Sequence, residues 1–313
     1  MDYKRSSSDS EPEDSRSPKR RRRTSPPGDA NGNNGTHPQS LPPLSLSILG
    51  VEPLDEFIRE VADFIHHMIT TRPEGDGHVE VEAKVGVLRD KVSGQRLQFP
   101  VLVETILTPD ALDTRFESNM SAMQHKHFNT LLNTLKMNSH EPDHPSTPLE
   151  YAHLHLVDSF YNAEGSREKI RVTRNEKTGE VVACMRKVRL GSLDIFCPKR
   201  AADWRISVNV EVPVPPPVGT ATLTRRKDRL SYSHEEFTID LTQVTSQGGP
   251  NSKPEVLHEL EVELTRPDYL LTTARQRGDA NAPEPERSAF DELIRAFVNN
   301  ARILVRNANG PWQ

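Results

Sequence analysis

Two short segments of this sequence carry charged side chains at every second position. HVEVEAKVGVL, His78 to Leu88, alternates Glu80, Glu82 and Lys84 with Val79, Val81, Ala83 and Val85. HELEVEL, His258 to Leu264, alternates Glu259, Glu261 and Glu263 with Leu260, Val262 and Leu264. Successive residues of a β-strand point to opposite faces, so each charged set shares one face of its strand. Burying such a face is costly unless a cation sits among the acids. Five acids from two strands that meet would suit a hard divalent cation, because Mg²⁺ and Mn²⁺ prefer carboxylate and water oxygens. Without one, the acids repel one another and some take up protons. Either strand alone also reads as a half-buried strand with its glutamates in solvent.

The segments between them change that balance. Lys169 and Arg171 alternate in EKIRVTR, Lys187 and Arg189 in RKVRL, and Arg225, Lys227 and Arg229 share a face in RRKDRLS. In WRISVNVEV, Ser207, Asn209 and Glu211 share one face and Ile206, Val208, Val210 and Val212 the other. Facing inward around a closed sheet, these side chains give a lumen with acids on one wall and cations on another. Such a lumen suits a polyphosphate: a divalent ion bridges its oxygens, arginines clamp them with paired donors, and lysines act as point charges. Solvated cross-strand salt bridges would explain one strand and not the repetition.

The spacing of Phe57, Ile58, Val61, Phe64, Ile65 and Met68 predicts an amphipathic helix after Pro53, ahead of the first acidic segment. A turn is expected around Ser93-Gly94 and a strand over Leu97 to Val103. A second helix falls within Ser121 to Leu135, and residues 140–148 read as a loop. Strands are predicted at His153 to Tyr161, Lys169 to Asn175, Val181 to Leu190, Trp204 to Val212, Leu223 to Tyr232 and Phe237 to Val244, separated by Gly-, Pro- and Asn-containing turns. A last helix covers Ala289 to Val305. Many strands at short intervals with helices near both ends argue for an α+β fold, a closed antiparallel barrel flanked by helices. His66, His67, His125, His127, His153 and His155 show no ligand spacing to one another and read as surface or core residues.

The 313 residues allow one sizeable core with extensions, and the formal charge of −5 excludes a global basic footprint for nucleic acid. Residues 1–41 are rich in Ser, Pro, Asp, Gly and Asn and are expected to be disordered, leaving 42–313 as the folded domain. Within that tail PKRRRR, residues 18–23, reads as a nuclear-localisation or nucleic-acid patch, with Ser17 and Ser25 as phosphorylation candidates. No apolar run is long enough to span a bilayer and no secretory leader opens the chain, so a soluble intracellular protein without membrane contact is expected. The two cysteines, Cys184 and Cys197, form neither a CxxC pair nor an HCxxxxxR signature and read as structural thiols.

Taken in order, an ExExK strand, then basic strands, then an ExExE strand, the chain resembles the fungal mRNA-capping RNA 5′-triphosphatases of the triphosphate tunnel metalloenzyme superfamily over roughly residues 51–268. The resemblance implies an eight-stranded antiparallel tunnel that holds the triphosphate end of RNA. It implies that Glu80, Glu82 and Glu263 ligate Mg²⁺ or Mn²⁺, that Glu261 holds water at the metal, and that Glu211 orients or deprotonates the attacking water. Arg171, Lys227 and Arg229 would grip the γ-phosphate, supported by Lys84, Lys187, Arg225 and Glu259, with Asp158, Asp240 and Thr242 bracing the tunnel. It further implies a nuclear homodimer that acts in mRNA capping with the RNA polymerase II C-terminal tail and/or mRNA guanylyltransferase as partner. Some fungal relatives dock the guanylyltransferase through a tryptophan-containing segment ahead of the tunnel, whereas the tryptophans here are Trp204 and Trp312. Two other readings remain open: a polyphosphate, nucleoside or thiamine triphosphatase with the same tunnel, and a non-catalytic RNA- or polymerase-binding module.

Overall fold

The structure, a computed structural model, describes residues 43–53, 55–73, 75–163, 168–248, 252–310 and 312. The tail with its basic run at 18–23 and its serines lies outside the described residues, as does Leu54. The chain separates into two compact units, Met1–Glu52 and Pro53–Gln313. In the described part of the first, Ser47 Oγ donates to the Val51 carbonyl and closes a short turn.

The second unit is built on strands β1 (His78–Asp90), β2 (Thr105–Leu107), β3 (Thr114–Glu117), β4 (Glu150–Asn162), β5 (Lys169–Asn175), β6 (Val181–Phe196), β7 (Asp203–Pro213), β8 (Leu223–His234), β9 (Phe237–Gln247) and β10 (Glu255–Leu264). Its helices are α1 (Glu56–Thr70), α2 (Ala122–Asn138), α3 (Pro267–Gln276) and α4 (Glu284–Asn307). Eight strands pair antiparallel in the order β10-β9-β8-β4-β5-β6-β7-β1, and β1 pairs with β10 to close the ring. This is the predicted closed eight-stranded antiparallel barrel; β2 and β3 are short additions on β6 and β1.

The barrel reverses the usual division of labour. Its main hydrophobic core lies outside the ring, where Val79, Val81, Ala83 and Val85 of β1 and Trp204, Ile206 and Val208 of β7 pack with Ile58, Val61 and Ile65 of α1 and Phe290, Ile294 and Phe297 of α4. With the apolar faces turned out under helices, the alternating charged faces turn into the lumen. Asp55 caps α1 by accepting from the amides of Phe57 and Ile58, and Ser121 with Gln124 forms a capping box at the start of α2.

Three expectations need correction. Leu97 to Val103 is not a strand: Pro100 lacks an amide donor, and Leu102 and Val103 are exposed. The pairing falls instead to Thr105–Leu107 and Thr114–Glu117. Helix α3 was not expected, although Pro267 at its first turn and Asp268 beside it are start signals. In β6, a register shift between Arg189 and Gly191 breaks the alternation that Lys187 begins. Arg189 still sits opposite Asn209, and it is Gly191 that lands opposite the outward-facing Val208, against Phe64 and Met68 of α1.

Candidate active site

Strand closure brings the two acidic segments face to face. Across the β1–β10 seam Glu82 opposes Glu263 and Lys84 opposes Glu261; on the other side of β1, Glu80 opposes Asn209 and Glu82 opposes Ser207. The carboxylates are held by neighbours on the same wall. Lys84 Nζ donates to Glu261 at 2.8 Å and lies 3.3 Å from Glu82. Lys187 of β6 pairs with Glu80 and lies 3.3 Å from Glu82. Asn209 Nδ2 donates to Glu80 at 2.9 Å and reaches Glu82 at 3.4 Å. Arg225 pairs with Glu259 at 2.8 Å.

Glu263 is different. Of the five glutamates it alone has neither an ion-pair partner nor a hydrogen-bond donor among the described residues. Burial, followed by the charges of Glu80, Glu261, Asp240 and Glu82, pushes its carboxyl up to about 8. Glu261 moves the other way: burial opposes ionisation, but Lys84, Arg229 and Lys227 hold it well below the usual carboxylate range. Burial works against the Lys84 ammonium too, and the carboxylates of Glu261, Glu82 and Glu259 overcome it, holding the pKa above its ordinary value.

The facing wall is basic. Arg171 pairs with Glu211 at 2.8 Å, Lys227 with Asp158 at 2.6 Å, and Arg229 with Asp240 at 2.6 Å while its Nε donates to Thr242 at 3.1 Å. Burial lowers the Lys227 pKa; the Asp158 carboxylate offsets part of that, and the neighbouring Arg229 works against the offset. An ammonium in that position is relieved by any further negative charge. Arg171 keeps its Nε buried without an acceptor.

Counting the lumen groups named above, six cations (Lys84, Arg171, Lys187, Arg225, Lys227, Arg229) face eight acids (Glu80, Glu82, Asp158, Glu211, Asp240, Glu259, Glu261, Glu263). With all eight acids ionised, the excess of two negative charges is that of one divalent cation, for which the all-oxygen donors suit Mg²⁺ or Mn²⁺; without a cation Glu263 holds a proton instead. No three of the tunnel carboxylates come within 4.8 Å of one another among the described residues. Lys84 and Lys187 occupy the places between them and stand in for part of the positive charge.

The description "mRNA capping enzyme, beta chain" matches residues 51–310. This chain belongs to that family. An mRNA-capping enzyme subunit beta of Schizosaccharomyces pombe is 39% identical over 272 residues, covering 85% of this chain and 86% of the relative. The solved S. pombe Pct1 RNA triphosphatase superposes with a TM-score of 0.76 at 36% identity, covering 86% of this chain and all of the other. The same protein solved in complex with the Spt5 CTD gives a TM-score of 0.76 at 37% identity.

Every residue singled out from the sequence for the capping-enzyme site lies on the tunnel wall with a charged or polar neighbour there. Asn209 was placed on the right face by alternation, but its contact with both acids of β1 needed the register of β7. Neither cysteine approaches the reactive state: burial pushes the Cys197 thiol up to about 12 and raises that of Cys184. The histidine expectation needs one correction. His153 and His155, two apart on β4, share its outer face, and both approach Asp228.

Proposed function

We propose that this chain is a metal-dependent RNA 5′-triphosphatase, which removes the γ-phosphate from the 5′ end of nascent mRNA as the first step of capping. The observation that carries this reading is the closed tunnel with a half-buried Glu263 on its acidic wall, without a cationic partner among the described residues, and preorganised cations opposite. The printed names of the relatives, mRNA-capping enzyme subunit beta and RNA triphosphatase, support the same chemistry.

In this reading Glu80, Glu82 and Glu263 hold Mg²⁺ or Mn²⁺, which supplies Lewis-acid polarisation of the phosphoryl oxygens. Arg171, Lys227 and Arg229 grip the γ-phosphate from the facing wall. Arg229 has donors left after Asp240 and Thr242, and Lys227 gains charge compensation that Asp158 alone does not give it. Glu211, oriented by Arg171, takes the proton of the attacking water. The water attacks phosphorus in line, the bond to the bridging oxygen breaks, and diphosphate-ended RNA leaves with the electron pair. Charge spread over the equatorial oxygens is met by cations already in place, so little reorganisation is needed. Lys84, Glu261 and Lys187 form the network that keeps the acids ionised, and Arg225 fixes Glu259. Asp158, Asp240 and Thr242 hold the phosphate-gripping cations.

The capping role implies work in the nucleus, supported by the basic run at 18–23. A repeat tail of the transcription machinery is the proposed partner, either the polymerase C-terminal tail or the like, supported by the solved complex of the relative with the Spt5 CTD. A contact with guanylyltransferase and a homodimer are proposed on the family resemblance, and sedimentation tests the dimer.

The deciding experiment measures phosphate release from γ-labelled triphosphate-ended RNA in Mg²⁺, Mn²⁺ or EDTA, with ATP and inorganic polyphosphate as rivals. Metal-dependent release of the γ-phosphate alone is expected. Preferred turnover of polyphosphate would overturn the RNA assignment, and no turnover would leave a binding module.

A further inference from the structure

The outer face of the basic wall carries a second set of metal-ligating side chains. Lys227 and Arg229 of β8 project into the lumen, so Asp228 between them projects outward. The register sets His155 of β4 directly opposite Asp228, with His153 two residues along on the same outer face. The two imidazoles lie 4.4 Å apart between centroids. His153 Nε2 is 2.5 Å from Asp228 Oδ1, and His155 Nδ1 is 3.9 Å from that same oxygen. One donor atom from each of the three side chains falls within 4.8 Å of the others.

A simple histidine–aspartate pair accounts for the His153 contact and leaves the second ring unexplained. Three donors converging on one point account for both. Ligands of a tetrahedral ion bound at about 2.0–2.1 Å sit roughly 3.3 Å apart. Reaching that spacing asks for side-chain rotations and no backbone movement, since all three side chains are at least 30% exposed and the β4–β8 ladder is continuous. Two imidazole nitrogens and one carboxylate oxygen form a mixed donor set. Such a set favours borderline ions over Mg²⁺, which selects all-oxygen, largely hydrated sites. The rings of His125 and His258 lie 4.8 Å apart, but among the described residues they join no cluster of three such donors.

We propose that His153, His155 and Asp228 form a second metal site, on the outside of the tunnel wall, that binds a borderline divalent ion such as Zn²⁺, with solvent completing its coordination. The ion cross-links β4 to β8 on the opposite side of the sheet from Lys227 and Arg229. It is independent of the tunnel metal in position and in donor chemistry.

The test uses the full chain, stripped of metal and then saturated with Mg²⁺ so that the tunnel is occupied. Zn²⁺ is titrated against a chromophoric chelator, and Co²⁺ is added in parallel to read the visible d–d absorption of a low-coordinate site. One equivalent of Zn²⁺ is expected to bind. His153→Ala/His155→Ala should weaken it by more than about 100-fold, beyond the range for losing only a partner of a ligand, and abolish the Co²⁺ band. Triphosphatase activity in Mg²⁺ should survive in that variant, which shows that its fold is intact. Glu263→Gln should leave the Zn²⁺ equivalent in place. Wild-type Zn²⁺ affinity in the double histidine variant would overturn the proposal, as would loss of the bound ion in Glu263→Gln.

Discussion

Glu82 and Glu263 are Cα partners across the seam at which β1 meets β10 and closes the tunnel. Strands 181 residues apart in sequence thus place two carboxylates side by side at the point of closure. Directly opposed like charges destabilise an antiparallel pair, so the seam is held by something other than these two side chains. On the outer face Ala83 sits opposite Val262, both fully buried in the core under the helices.

That arrangement separates activity from stability. Glu82→Ala and Glu263→Gln should each abolish turnover, with a loss exceeding the 10–100-fold typical of removing only an outer partner of a metal ligand. In EDTA, Glu263→Gln should unfold at a temperature equal to or above that of the wild type, because it removes repulsion and leaves no cation unpaired. Calorimetry of the metal-free proteins checks this. A clear loss of stability would mean that Glu263 has a cationic partner in solution.

Arg229 should matter through the transition state. Its guanidinium is fixed by Asp240 and Thr242 before substrate arrives, so its stabilisation of the γ-phosphate requires no rearrangement. Arg229→Ala should lower kcat by about 10²–10³, or roughly 2.7–4 kcal/mol, the range for removing one preorganised donor. Part of any stability loss in this variant would come from leaving Asp240 buried and unpaired, so steady-state kinetics must be paired with an unfolding curve. A kcat within a few-fold of wild type would move the γ-phosphate grip to Arg171 and Lys227.

The sequence carried the tunnel strands because alternation survives without knowledge of partners: Glu80 and Glu82, or Arg225, Lys227 and Arg229, share a face in any register. It carried the apolar faces of β1 and β7 for the same reason. What it could not supply was pairing. The contact of Asn209 with Glu80 and Glu82 depends on the β1–β7 register, and the convergence of His153, His155 and Asp228 on the β4–β8 register. Alternation also misleads where the backbone departs from it. Beyond Arg189 the register shift sets Gly191 opposite the outward-facing Val208, where parity counted from Lys187 would turn it inward. The apolar run at 97–103 read as a strand because periodicity does not register the missing amide of Pro100.

Asp158 gives the tunnel a pH dependence of defined sign. Burial alone would raise its pKa, but the charge of Lys227 with hydrogen bonds from Lys227 and Thr173 brings it below the usual aspartate value. A carboxylate with a depressed folded pKa stabilises the protein fully above its unfolded pKa of about 3.9, and that contribution is lost as pH falls through the folded value. Asp158→Asn should therefore destabilise by about 3–5 kcal/mol at pH 7, the range for breaking one side of a buried pair. The difference from wild type should stay level down to about pH 4.5 and shrink below pH 4. Urea unfolding across pH checks the sign, and a gap that widens in acid would contradict the pairing.

Asn209 offers a different separation, between holding the metal carboxylates and touching the substrate. It is 1% exposed and sits opposite Glu80 on β7, with its amide donating to Glu80 and reaching Glu82. Among the described residues its side-chain hydrogen bonds go to Glu80 and Glu82 and not to a phosphate-gripping cation, so its contribution to the reaction passes through the two acids. Asn209→Ala should leave those carboxylates less constrained and raise the metal concentration needed for half-maximal activity by about 10–100-fold. At saturating metal, kcat should return to within a few-fold of wild type. Metal titrations of activity at fixed RNA concentration distinguish the cases. A fall in kcat that excess metal does not restore would show that Asn209 contacts the reacting phosphate itself, and would extend the phosphate site from the basic wall onto β7.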